Sequence, residues 1–141
     1  MVSLEEHYIQ DILKRLSRNF HGRLIFAGII DDKAKLIHFQ KGDVAFLLPF
    51  ERQNALDVQI SLMLSLGKQL EDFAGGLSHT VLSYHDCEII IMEVLTNSFL
   101  YVICTKGAAS DMTDMLMRLI EASPETKTGG RERDLVQDEW S

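Results

Sequence analysis

The chain lacks the features that mark secreted, membrane-spanning and nucleic-acid-binding proteins. Its 141 residues include only two cysteines and two prolines, and no apolar run approaches the roughly 20 residues that span a bilayer. The first residues, MVSLEEHY, lack the basic and apolar regions of a signal peptide. The formal net charge is −7, which opposes nucleic-acid binding because phosphate contacts need a positive surface. We therefore expect a soluble cytoplasmic protein with no membrane span and no nucleic-acid partner.

The length and composition predict one globular domain followed by a polar tail. A hydrophobic content of 46% with 25% charged residues is ordinary for a globular chain, and domains peak at about 100–150 residues. We place the domain at residues 1–122. Residues 123–141 contain Pro124, two glycines and dense mixed charge, which predicts a disordered tail. The tail contains three apolar residues, Leu135, Val136 and Trp140. We expect them either to dock on a partner or on the domain itself, or to make no contact at all.

The stretch Asn54–Phe73 has helical spacing but too many apolar residues for one buried face. One stripe contains Leu56, Ile60, Met63, Gly67 and Leu70. A second contains Ala55, Val58, Leu62, Leu66 and Phe73. A narrow polar wedge remains, made of Asp57, Ser61, Ser65, Lys68 and Asp72. The apolar arc spans about 200°, against roughly 100° for a helix lying on one core. One stripe is expected on this chain's own sheet and the other on a second subunit; the alternative is a helix buried inside one core.

The segments before this helix predict a helix and a β-hairpin. Ser3 and Glu6 fit a capping box at the start of an amphipathic helix. The short runs Arg23–Ile30 and Lys35–Gln40 are rich in β-forming residues and flank a polar turn. Val44–Phe50 contains a proline, so we interpret it as a connection rather than a helix.

The segments after the long helix predict three strands and a closing helix. The strands are Leu77–Tyr84, Glu88–Leu95 and Phe99–Thr105, and Ser110 is a favourable N-cap for a helix ending near Ala122. The element order is therefore α-β-β-α-β-β-β-α. Strands this apolar form a sheet that must be covered by helices on both faces. The sequence predicts a three-layer α/β/α sandwich with a five-stranded antiparallel sheet.

This pattern resembles the roadblock/LC7 family of profilin-like domains, found in dynein light chains, endosomal scaffold subunits and bacterial gliding-motility GTPase activators. The resemblance covers Leu4 to Ala122 and rests on the element order, the hairpin RLIFAGIIDDKAKLI, the long second helix and the closing strands plus helix. The family often carries a D-x-G turn where this chain has Asp31-Asp32-Lys33. The segment VAFLLPF before the second helix is also longer and more apolar than is usual in the family. Both departures leave room for a related profilin-like fold such as a longin or PAS-type domain.

The resemblance implies a non-enzymatic homodimer that scaffolds or regulates a small GTPase or another protein partner. In the family, the second helix and the neighbouring third strand form the dimer, which joins two sheets into one. The predicted interface residues are Val58, Leu62, Leu66 and Phe73. Full burial of such side chains contributes on the order of 1.5–3 kcal/mol each, before association costs of several kcal/mol. The alternative function is a small-ligand sensory domain of profilin/PAS type, and an enzyme is a third hypothesis.

No constellation in the sequence predicts a catalytic, cofactor-binding or metal site. His79, His85 and Cys87 are suitable zinc ligands, but the two histidines lie some 20 Å apart along an extended strand at about 3.3 Å per residue. Asp31 and Asp32 are explained as turn residues. Lys106–Ser110 precedes a helix whose N-terminus can hold an anion, but it lacks the G-x-x-x-x-G-K-[ST] spacing of a phosphate-binding loop.

The two cysteines are predicted to be free, buried thiols. If Asn97-Ser98 forms the hairpin turn, Cys104 lies opposite about Ile91, and Cys87 is several residues further along. That separation exceeds normal disulfide geometry. Unpaired thiols are usual in a reducing compartment.

Overall fold

The computed structural model describes residues 3–42 and 50–122. The elements are α1 (Leu4–Asn19), β1 (Leu24–Asp31), β2 (Leu36–Lys41), α2 (Phe50–Lys68), α3 (Glu71–Ala74), β3 (Thr80–Ser83), β4 (Cys87–Leu95), β5 (Ser98–Thr105) and α4 (Ala109–Glu121). The predicted tail, residues 123–141, lies outside the described residues. So does the predicted connection Val44–Phe50, except that Phe50 is already the first residue of α2.

The first helix begins where the capping box predicts. The hydroxyl of Ser3 accepts the backbone N–H of Glu6 at 3.1 Å, which satisfies one of the donors left unpaired in the first helical turn. Ile9, Ile12, Leu13 and Leu16 are buried along one face. Their i, i+3, i+4, i+7 spacing is the amphipathic pattern of a helix that covers a sheet.

The predicted hairpin is present, with a turn held by one aspartate. The carboxylate of Asp31 accepts the backbone N–H groups of Lys33 and Lys35, each at 2.9 Å, and Ala34 adopts a positive φ of 62°. The hydrogen bond from the backbone N–H of Lys35 is the largest cause of the lowered pKa of the Asp31 carboxyl group. Asp31 is therefore a turn residue.

The five strands form one antiparallel sheet in the order β2-β1-β5-β4-β3. One face carries a buried cluster that joins α1 and α4 to the sheet through Leu16, Leu100 and Met112. The opposite face carries a second cluster that joins α2 to the sheet through Ile60 and Tyr101. These two cores establish the predicted α/β/α sandwich.

The second helix differs from the prediction in its length and in its orientation. It ends at Lys68, and the short helix α3 follows, closed by Gly75 at φ 85°. Ile60 and Leu64 are buried, and so is Asp57, which is only 1% exposed. Asp57 was predicted to lie in the polar wedge of the helix that faces water, and this prediction is wrong because its side chain is buried. Leu70, predicted on the sheet side, is 63% exposed, because the chain leaves the helix two residues earlier.

The register between β4 and β5 corrects the predicted position of the cysteines. Cys104 pairs with Glu88 rather than with Ile91, because the hairpin turns one residue early, with Asn97 at φ 64°, and a bulge shifts the register again. Cys87 and Cys104 are therefore close along the sheet. Cys104 packs in the α1/α4 core and Cys87 against the α2 core. Both are free, and their position on opposite faces, not distance, keeps them apart.

The closing helix does not use the predicted cap. Its N-cap is Ala108, which has no side-chain acceptor, and Ser110 lies inside the first turn. The carboxylate of Glu88 on β4 takes over this role by accepting the backbone N–H groups of Gly107 at 2.6 Å and Ala109 at 3.2 Å. A long-range acceptor of this kind leaves no local signature in the sequence.

Candidate association surface

Large apolar side chains are exposed along α2, the residues that follow it, and α3. Among the side chains that the structure describes, which exclude residues 50, 51, 53 and 54 of α2, five of the ten large hydrophobic ones that stay exposed lie between residues 58 and 73. We refer to them as the α2–α3 surface; they are Val58 (50% exposed), Leu62 (59%), Leu66 (62%), Leu70 (63%) and Phe73 (91%). Large exposed apolar patches of this kind mark association surfaces on soluble domains.

The surface contains all four predicted interface residues and adds Leu70. On a helix, positions 58, 62 and 66 recur every four residues and so lie along one side. Ile60 and Leu64, on the other side of the same helix, are buried against the sheet. The predicted two-sided helix is thus present, with one side covered by this chain and one side exposed.

Contacts near the end of α2 join the helix to its own sheet and to the loop that follows it. Lys68 Nζ lies 3.2 Å from a carboxylate oxygen of Glu93 and 5.1 Å from the ring centroid of Phe99. A Cβ added to Gly67 would lie 3.0 Å from a methyl group of Leu77, so the helix and the following loop approach closely here. The side of α2 that carries Ile60 and Leu64 therefore faces the sheet, and the α2–α3 surface faces away from it.

The edge strand β3 is the other element that the family resemblance assigns to the dimer. It is the outermost strand next to β4, and within the described residues its outer edge has no strand neighbour. Leu82 packs into the α2 core, while Val81 is 40% exposed. An unpaired edge of this kind is a template for pairing with another strand.

A second exposed apolar area, which the sequence reasoning did not single out, lies on the opposite edge strand. On β2, Ile37 is 41% and Phe39 is 56% exposed. The Phe39 ring stacks on Phe26 with centroids 5.9 Å apart and planes 9° apart. Phe26 stacks in turn on the fully buried Tyr101. The alternation of apolar and polar residues in KLIHFQK is typical of a strand with only one covered face.

The anion position considered at the start of α4 is filled by the protein itself. The Glu88 carboxylate occupies the N–H groups of Gly107 and Ala109, which are the donors that an external phosphate would need. Lys106 Nζ is engaged with the Ser83 hydroxyl and the Tyr84 carbonyl. The internal carboxylate therefore takes the place of a phosphate ligand.

The histidines considered for zinc do not converge. His79 Nδ1 contacts the Ser78 hydroxyl at 2.9 Å, whereas the fully exposed His85 ring lies 4.0 Å from Asp86. Across the described ranges, no group of three or more His, Cys, Asp or Glu side chains is arranged to hold a metal ion. The helices in those ranges likewise include none with the length and apolar character needed to cross a membrane.

The fold has structural counterparts among solved proteins. No protein-family model and no curated protein matches the sequence. A solved structure of MglB with a tetrameric arrangement matches with a TM-score of 0.67 and 16% identity, covering 86% of this chain and 88% of that one. A roadblock/LC7 domain from Streptomyces avermitilis matches with a TM-score of 0.62 and 13% identity, covering 79% and 90%. The gliding protein MglB from Thermus thermophilus matches with a TM-score of 0.61 and 14% identity, covering 87% and 95%.

These matches establish the class of fold. The molecule is an α/β/α sandwich in which one helix carries an exposed apolar side, and the chain has the roadblock/LC7 fold. The fold assignment made from the element order and the hairpin is thereby confirmed.

Proposed function

We propose that this protein is a non-enzymatic homodimeric module that scaffolds or regulates a small GTPase. The exposed α2–α3 surface on a roadblock/LC7 fold carries the proposal. Its similarity to MglB structures supports the fold on which the proposal rests, and the family resemblance supplies both the regulatory role and the link to small GTPases. The proposed interface residues are Val58, Leu62, Leu66 and Phe73, with Leu70 between them.

The physical basis of the dimer is the cost of leaving this surface in water. Each of these side chains is half exposed or more, so pairing two copies removes ten such side chains from solvent. At about 25 cal/mol per Å² of apolar area, that burial offsets association costs of several kcal/mol. The unpaired outer edge of β3 provides backbone groups that extend the same contact into a shared sheet.

The proposal is tested by placing a charge within the surface. Leu62→Glu and Leu66→Glu should each yield a monomer in size-exclusion chromatography with light scattering, with an unchanged circular dichroism spectrum. The matched control is Leu4→Glu, because Leu4 is similarly exposed at 69% but lies on α1. That variant should remain dimeric. Unfolding of both α2 variants would instead place these residues in an internal core.

The regulatory part needs a separate measurement. Small GTPases from the same proteome, loaded with GDP or a GTP analogue, are titrated with the wild type and with Leu62→Glu. We expect one GTPase to bind the wild type in a nucleotide-dependent manner and to bind the monomeric variant more weakly. Absence of nucleotide-dependent binding across the whole set would contradict a GTPase-linked role while leaving the dimer intact.

A further inference from the structure

We propose that Lys106 is a positioning residue for the dimer: its ammonium group ties the outer strand β3 to the rest of the sheet and keeps the free edge of that strand ready to pair with a second copy. The inference rests on the proposed homodimer and deepens it. It adds a residue that lies on neither α2 nor β3, the two elements that the family resemblance assigns to the dimer.

The strand β3 is the shortest strand of the described sheet. It has four residues, Thr80–Ser83, and it pairs on one side with β4, whereas its other side is the edge of the described sheet. None of these four side chains is fully buried. Edge segments with little buried surface open locally at a low cost in free energy. A contact that holds β3 in place therefore changes how often its free edge is formed.

Lys106 makes such a contact from two strands away. It directly follows β5, and β4 lies between β5 and β3 in the sheet. Its Nζ atom donates to the hydroxyl of Ser83, the last residue of β3, and to the backbone carbonyl of Tyr84 at 2.6 Å. The lysine side chain thus passes the end of β4 and joins the end of β5 to the end of β3.

The backbone around Lys106 is anchored on both sides. The N–H of Thr105 donates to the carbonyl of Arg23 at 2.9 Å, and the N–H of Gly107 donates to the Glu88 carboxylate at 2.6 Å. Gly107 has a φ of 90°, a conformation that glycine adopts without a steric penalty. The start of the lysine side chain is therefore placed by β1 and β4, and binding to β3 costs only the rotamer freedom of that side chain.

Two other contacts show what Lys106 adds to the support of β3. The N–H of Tyr84 donates to the carbonyl of Cys87 at 2.9 Å and closes the turn to β4, and Leu82 packs in the core beneath α2. Both join β3 to its direct neighbours, whereas Lys106 joins the Ser83 end of the strand to β5. Loss of the lysine should therefore free this end of β3 without opening either core.

An ordered edge favours association because less conformational freedom is lost when the second copy binds. The α2–α3 surface supplies the apolar area of the proposed dimer, and β3 supplies the backbone groups beside it. A monomer whose β3 edge is open stays folded, but it has to close that edge before it can pair. Removal of Lys106 should therefore weaken the dimer more than it weakens the fold.

The first measurement is made in a monomeric background, Leu62→Glu or Leu66→Glu, so that it does not depend on the dimer. Lys106→Met keeps the apolar stem of the side chain and removes its N–H donors. Hydrogen exchange of the β3 backbone N–H groups should become about fivefold faster or more, because two hydrogen bonds to the end of the strand are lost. Lys106→Arg keeps the charge and the donors and should restore protection. Lys14→Met removes an exposed lysine from α1 and should have no effect on β3.

The second measurement is the dissociation constant of the dimer, obtained by sedimentation over a range of concentrations. In the chain with an intact α2–α3 surface, Lys106→Met should raise this constant by about fivefold or more, since the same two hydrogen bonds must re-form before pairing. Lys106→Arg and Lys14→Met should leave it close to the wild-type value. The urea midpoint of the monomeric variant should change less than the dissociation constant, which a general loss of stability would not produce.

The outcomes separate this proposal from the proposed function. Unchanged exchange of β3 in Lys106→Met would overturn the role of the lysine, whatever the oligomeric state. Faster exchange with an unchanged dissociation constant would also overturn it, because β3 would then lie outside the contact. A wild-type chain that stays monomeric at every concentration would contradict the homodimer itself, and with it the positioning role, even if exchange of β3 becomes faster.

Discussion

The carboxylate of Glu88 accepts the backbone N–H of Gly107 at 2.6 Å and thereby links the β4 strand to the start of α4. The same oxygen accepts the N–H of Ala109. Ala108, at the cap position, has no side-chain acceptor of its own. One side chain from the sheet therefore supplies both the helix cap and a favourable charge at the positive end of the helix dipole.

Removing this cap should destabilise the fold measurably. We expect Glu88→Ala to lower the free energy of unfolding in urea by about 1–2 kcal/mol, which is the usual cost of losing an N-cap acceptor. Glu88→Gln keeps an acceptor oxygen and should cost less. Glu93→Ala is the control, since its exposed ion pair with Lys68 is worth at most about 1 kcal/mol. Equal costs for the two alanine variants would argue against the capping role.

The close approach of Gly28 to Tyr101 provides a second prediction. A Cβ at position 28 would lie 2.7 Å from the buried Tyr101 ring. Gly28→Ala should therefore destabilise the protein by about 1–3 kcal/mol through overpacking, as measured by thermal or urea unfolding. Gly76→Ala is the matched control, because its Cβ would meet only a Glu71 carboxylate oxygen at 3.6 Å.

A double-mutant cycle separates overpacking from a backbone effect. In a Tyr101→Leu background the ring is absent, so adding Gly28→Ala should cost clearly less than it does in the wild type. The same cost in both backgrounds would show that the tyrosine ring is not what restricts position 28.

The buried thiol of Cys104 predicts a loss of stability at alkaline pH. Burial raises the pKa of Cys104 to about 12 from its ordinary value of 9.0. Above pH 9 the unfolded chain loses this proton while the folded chain keeps it, so the unfolded state is favoured increasingly between pH 9 and about 12. Below pH 9 the thiol is protonated in both states, so its full contribution to the stability of the folded state is present. Within this range, the free energy of unfolding should fall by up to about 1.4 kcal/mol per pH unit because of this thiol.

Cys104→Ala should flatten this alkaline loss, as followed by urea unfolding at several pH values, although removal of the side chain lowers stability at every pH. In the wild type, a thiol reagent should modify Cys87 before Cys104, because Cys87 is only partly buried. Fast modification of both thiols in the folded protein would contradict the burial of Cys104.

The sequence predicts local features better than contacts between distant residues. The Ser3 cap and the first hairpin depend on residues a few positions apart, and both are present. The order of the elements, together with the first hairpin, the long second helix and the closing strands plus helix, was sufficient to assign the fold through the family resemblance. The burial of Asp57 could not be predicted, because the packing of α2 on the sheet decides how the helix is rotated. The exposure of Leu70 could not be predicted either, because it follows from the end of α2 at Lys68.

The same limit explains the errors in register and capping. Placement of the β4–β5 turn one residue late, together with a bulge between Glu93 and Leu95, moved Cys104 three positions from its predicted partner. A turn and a bulge each change a register without changing the apolar pattern. The Glu88 cap joins residues about twenty positions apart, so no short motif indicates it.

The molar mass of the wild-type protein in solution tests the central claim, that the α2–α3 surface is shared between two copies, most directly. Light scattering over a range of concentrations should give twice the chain mass of 16.0 kDa, about 32 kDa. A mass of 16.0 kDa at every concentration would contradict the homodimer and leave the exposed side of α2 without the proposed role.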